Sequence, residues 1–154
     1  MTDFRVHALL PALLAQVRAT GLDTSGNPVQ RLTGVTGPLR CCLRSARADE
    51  DVILFGYEPV LPGSGSPYRE VGAVYAHASH CDGPEGEDYP AQWLSRPQVL
   101  RAYDARGWIH PATRTHDGSD PLGEIASILA EPDVVEIHSR NIAYGCYMFS
   151  ITRA

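Results

Sequence analysis

The sequence predicts an α+β fold: a single domain over residues 1–154, with a mainly antiparallel sheet and about two helices. Three observations carry that expectation. Residues 10–20 and 120–131 repeat apolar side chains at helical spacing, whereas the other apolar residues fall in short runs of period two or of strand length. The breaks between those runs suit hairpin-like connections. The 154-residue chain is also the length of one domain, with no internal repeat and no linker to split it.

Taken in order, residues 3–8 (DFRVHA) alternate as a strand. The helix over Leu10–Thr20 has Pro11 at a tolerated first-turn position and Gly21 as its stop. Leu10, Leu13, Leu14 and Val17 form its core stripe. After a loop over residues 21–28 and a strand over 29–35 comes PLRCCLRSA, where Arg40 and Arg44 stand four apart. One helical turn would set them side by side as an anion clamp. VILFGY, after the charged turn Asp49–Asp51, is a buried strand. Residues 58–67 are a Pro/Gly/Ser loop of a length often used for binding. Tyr68–Ala78 resumes as a strand with Val71, Ala73, Tyr75 and His77 on one face. QVLRAYD (residues 98–104), a DARG turn and WIHPATRT make an antiparallel pair, with Pro111 marking an edge. Asp120 caps a second helix that starts at Pro121 and buries Leu122, Ile125, Ile128 and Leu129.

Residues 134–152 close the chain as two strands around a polar turn. Side chains two apart share a face, so Glu136, His138 and Arg140 project together. On the returning strand the same rule puts Tyr147, Phe149 and Ile151 on one face and Cys146, Met148 and Ser150 on the other. This hairpin holds the densest cluster of chemically able residues.

Composition removes several functions. The formal net charge is −5, which argues against nucleic acid and anionic membranes as partners. All 13 basic residues are arginine, so Schiff-base chemistry, pyridoxal-phosphate attachment and a P-loop, which need lysine, are excluded. Arginine remains, suited to bidentate recognition of carboxylate or phosphate. The four cysteines (Cys41, Cys42, Cys81 and Cys146) include no CxxC pair. Pro11 interrupts the only N-terminal apolar run, and no run has the length of a membrane helix. Free thiols in a reducing cytoplasm are the expectation.

PLRCCLRSA, SPYREVGAVYAHASHC, LRAYDARGWI and EIHSRNIAYGCY together resemble a bacterial family known as domain-of-unknown-function family 1203. The likeness runs from about Pro38 to the C-terminus. Arg40, Leu43, Tyr68, Cys81, Arg101, Tyr103, Asp104, His138, Arg140, Asn141, Gly145 and Cys146 fall on the family's recurring pattern. The family's early segment usually reads Pro-Cys-Arg; here Leu39 takes the cysteine place, with Cys41 and Cys42 just beyond. The resemblance implies a small cytoplasmic bacterial protein and implies no activity.

The residues favour a module that binds a small anionic molecule near the C-terminal hairpin. Arg40, Arg44, Arg101, Arg140 and Asn141 would supply polar contacts, and Tyr68, Tyr103 and Tyr147 the walls and hydroxyl donors. The alternative is an enzyme acting on a small acyl or carboxylate substrate, with Cys146 or Cys81 as nucleophile and His138 as base. An HxxHC cluster of His77, His80 and Cys81, completed by Cys146 or His138, would make a zinc site. Its two histidines fall on opposite faces of a continued strand, so no metal and no other cofactor are expected. A homodimer through an exposed edge strand is the remaining class.

Overall fold

The computed structural model describes residues 3–60 and 64–154. The elements are β1 (Phe4–His7), α1 (Pro11–Thr20), β2 (Gln30–Leu32), β3 (Pro38–Leu39), β4 (Arg44–Ser45), β5 (Val52–Tyr57), β6 (Gly72–His77), β7 (Gln98–Tyr103), β8 (Arg114–His116), α2 (Pro121–Leu129), β9 (Glu136–Asn141) and β10 (Tyr147–Arg153). They form two five-stranded sheets, ordered β1-β10-β9-β7-β8 and β2-β5-β6-β3-β4. Among the described residues, every strand pairing is antiparallel except β3 with β6. The fold is thus α+β, as expected, with more and shorter strands than the sequence suggests.

Each sheet has its own helix and its own core. The Asp120 carboxylate accepts the Gly123 amide at 3.0 Å and Pro121 opens α2, which buries Ile125 and Ile128. Those two pack with Leu100, Ile137, Phe149 and Ile151 of the first sheet. Helix α1 ends where Gly21, at φ 67°, returns its amide to the Val17 carbonyl. Its Leu14 and Val17 join Leu39, Val52, Phe55, Val74 and Ala76 of the second sheet. Leu10 is not part of that stripe: it occupies the N-cap and is mostly exposed.

Two further expectations are corrected. Residues 38–45 form a hairpin, not a helical turn, because Leu39 pairs with Tyr75 of β6 and the Arg40 amide donates to the Tyr75 carbonyl at 2.8 Å. Leu43 turns the chain at φ 57°. Arg40 and Arg44 therefore part company, and their clamp does not form. In β10 the register shifts between Tyr147 and Phe149, a bulge at Met148. Tyr147 pairs with Arg140 and Ser150 with His138, whereas Phe149 and Ile151 pair with Ser139 and Ile137. The extra residue moves Tyr147 off the Phe149 face and into the second sheet's core.

Candidate functional site

The first sheet buries its apolar face against α2 and carries a polar, aromatic face on the other side. Register puts Arg101 across from His138 and Tyr103 across from Glu136 on the central pair β7–β9. Directly opposed side chains lie about 5 Å apart at Cβ. The His138 ring is set between Tyr103, at 4.5 Å, and the edge of Tyr147, at 5.2 Å. Tyr147 in turn meets Tyr57 of the second sheet at 5.4 Å. Burial raises the pKa of both phenols above the ordinary tyrosine range, so they stay protonated donors.

A cleft of about 140 Å³ opens above this group, bounded by Val60, Tyr103, Asp104, Gly107, Glu136 and His138. Tyr103 is 2% exposed and His138 1% exposed. The Tyr103 hydroxyl and both His138 ring nitrogens have no hydrogen-bond partner among the described residues. Glu136 Oε1 is 3.1 Å from His138 Nε2, but out of line for a hydrogen bond. Buried polar atoms are ordinarily satisfied, so three orphans at the floor of one cleft are unusual. On the rim, Arg106 holds the Asp104 carboxylate at 2.7 Å and below its usual pKa, and lies 4.5 Å over the Trp108 ring.

Beside the cleft, the Glu70 carboxylate is held by Arg140 and by Arg101, the latter at 3.4 Å. Arg140 also donates to the Gly145 carbonyl at 2.8 Å across the C-terminal turn. The polar face therefore brings together five of the candidate residues singled out from the sequence: His138, Tyr103, Tyr147, Arg101 and Arg140. Glu136 joins them, as alternation along β9 expects, and the structure adds Glu70 and Tyr57. Glu70 escaped because the sequence puts it in a strand from Tyr68, whereas β6 begins only at Gly72 and Glu70 lies in the loop before it.

The other candidates are elsewhere. Arg40 is buried and donates to the carbonyls of Tyr147 at 2.7 Å and Pro38 at 2.5 Å. Arg44 makes a two-point pair with Glu50. Tyr68 stands edge-on to Trp108 at 6.0 Å. Asn141 closes the β9–β10 turn, its amide donating to the Cys146 carbonyl at 2.8 Å. Cys146 lies near enough to Arg40 to act on its charge. Cys81 is grouped with Cys41, Cys42 and His77, their donor atoms all within 4.8 Å of one another. No thiol among the described residues hydrogen-bonds His138, whose neighbours are Tyr103, Tyr147 and Glu136. His77 and Cys81 do come together as the HxxHC reading requires, but His80 points away to Asp82 with its side chain 86% exposed.

The fold and cleft define a small two-sheet α+β domain with a polar recess on one sheet face. Residues 36–153 match the family model described as Protein of unknown function (DUF1203), and the chain belongs to that family. No curated protein and no solved structure matches it. Among the described residues, no helix is long and apolar enough to cross a membrane.

Proposed function

We propose that this protein binds a small anionic molecule on the polar face of the first sheet. The observation that carries the reading is the buried Tyr103 hydroxyl beside the buried His138 ring, the hydroxyl and both ring nitrogens lacking a hydrogen-bond partner among the described residues. A ligand hydroxyl entering the cleft can pair with the Tyr103 hydroxyl and one His138 ring nitrogen, and a ligand carbonyl can accept from the Tyr103 hydroxyl. The acidic neighbours Asp104 and Glu136 disfavour a charge of the same sign there, so the ligand's neutral polar end goes in first. Its carboxylate or phosphate then faces Arg101 and Arg140, which already hold a carboxylate, that of Glu70. The cleft of about 140 Å³ has the room of roughly five waters and is below drug-sized pockets. The ligand class is therefore a short hydroxy- or oxo-acid or its phosphate counterpart.

The test is calorimetric titration of the whole protein with short hydroxy-, oxo- and dicarboxylic acids and with phosphate esters. Binding is expected for hydroxylated or oxo members, weakened by Tyr103→Phe and tightened by Glu70→Ala, which frees both arginines. Heats absent for the whole set, with both the unsubstituted protein and Glu70→Ala, would end the proposal.

A further inference from the structure

The second cluster lies in the other sheet and owes nothing to the cleft. The β3–β4 turn supplies Cys41 and Cys42, the last residue of β6 supplies His77, and the loop beyond it supplies Cys81. The parallel pairing of Leu39 with Tyr75 is what brings segments some 36 residues apart to one point. Cys41 Sγ is 3.5 Å from His77 Nδ1, Cys42 Sγ is 3.9 Å from the same nitrogen, and the two sulfurs are 3.9 Å apart. A tetrahedral zinc ion with usual bond lengths separates two sulfurs by about 3.8 Å and a sulfur from a nitrogen by about 3.6 Å. The three distances are close to those edges. The sulfur–sulfur distance of 3.9 Å is far longer than the roughly 2.05 Å of a disulfide.

The surroundings match what a metal-bound histidine needs. His77 Nε2 is 2.8 Å from Glu50 Oε2 and 3.3 Å from Arg44 Nη2; the closer carboxylate accepts the hydrogen bond from that nitrogen, which leaves the Nδ1 lone pair toward the sulfurs. Glu50 is itself fixed by Arg44, at 2.9 and 2.7 Å, and by the Arg47 amide at 2.7 Å. The His77 amide donates to Cys41 Sγ at 3.3 Å. Three thiols and an imidazole also make a recognised donor set for zinc, whereas carboxylate and carbonyl oxygens suit magnesium or calcium.

We propose that Cys41, Cys42, Cys81 and His77 Nδ1 bind one divalent, thiolate-preferring metal ion, zinc being the ion they fit best. Binding replaces the thiol protons, which leave to solvent, with three metal–sulfur bonds and one metal–nitrogen bond. All four positions are protein ligands, so the site has no open place for water or substrate and acts as a clasp between the β3–β4 turn and the end of β6. Glu50, acting through His77, is a positioning residue.

The experiment uses the full chain, stripped with chelator under reducing conditions and titrated with zinc alone and with cobalt(II) alone. The expected results are one zinc per chain by native mass spectrometry and a cobalt adduct with the intense absorption of tetrahedral thiolate ligation. Cys81→Ser and His77→Ala should abolish or severely weaken binding. Glu50→Gln should weaken zinc by about 10- to 100-fold while keeping the tetrahedral cobalt spectrum. His80→Ala and Cys146→Ser should leave affinity unchanged. No stoichiometric uptake, a six-coordinate cobalt spectrum, or equal loss in the Cys146→Ser control would overturn the assignment. The cobalt spectrum of the unsubstituted chain decides the matter even where a ligand variant fails to fold.

Discussion

Replacing Tyr103 by phenylalanine removes a single oxygen from the floor of the cleft and gives opposite expectations for a structural hydroxyl and a binding one. The hydroxyl is buried and unpartnered among the described residues, and the ring packs 4.5 Å from His138 and is 2% exposed. A buried hydroxyl without a partner costs the ligand-free protein about 1–3 kcal/mol. Deleting it leaves a void smaller than a methyl group, worth under about 1 kcal/mol. The ligand-free Tyr103→Phe protein should therefore be about 1 kcal/mol more stable, a rise in Tm of about 3 °C for a domain of this size. Urea denaturation of both proteins reads the difference directly. A saturating ligand should reverse the order, because it stabilises only the protein that still offers the hydroxyl. Destabilisation of the ligand-free variant by more than about 1 kcal/mol would mean that the hydroxyl has a structural partner, and the case for the cleft would fail with it.

Three further outcomes are expected. Burial pulls Arg40 down to about 10 from 12.5, a penalty on its charge of roughly 3 kcal/mol, while its two charge-assisted bonds return about 3–6 kcal/mol. Arg40→Met should thus lower stability by up to about 3 kcal/mol in urea unfolding; a more stable variant would show that the desolvation term dominates. His116 is held below its usual pKa by burial, against the opposing pull of Glu124 and Asp117. The unfolded chain then takes up the proton first as pH falls through about 6.5, so stability drops from there downward. His116→Asn should flatten that part of the profile, and parallel pH curves for the two proteins would refute the assignment. Asp120→Ala removes the cap on Gly123 and should cost about 0.5–2 kcal/mol with loss of α2 helicity by circular dichroism, a cost absent if the cap is redundant.

What was readable in the sequence was local. Pro11 and Gly21 bracket α1, Asp120 and Pro121 open α2, and alternation along β9 correctly puts Glu136, His138 and Arg140 on one face. Those signals act within a few residues and need no knowledge of the partner strand. The spacing of Arg40 and Arg44 was just as regular, yet a pairing with β6 outweighed it. The bulge at Met148 left no mark that alternation alone could read, and it reassigned Tyr147. The cysteine grouping failed for a related reason. His77 and Cys81 were visible as neighbours, but their companions arrive through a parallel contact across 36 residues. Glu70 was hidden because the alternation expected from Tyr68 starts only at Gly72, leaving Glu70 in a loop whose direction no periodicity declares.

The bulge in β10 also bears on how the molecule comes apart. Phe149 and Ile151 on one side of it belong to the core beneath α2, and Tyr147 on the other side belongs to the core beneath α1. One strand is therefore a wall common to both interiors, and Arg40 fastens its Tyr147 carbonyl to the second sheet. Opening either interior strips the other of part of its lining. Two cores joined in this way are expected to melt in a single cooperative transition, with the amides of β9 and β10 exchanging only through that global event.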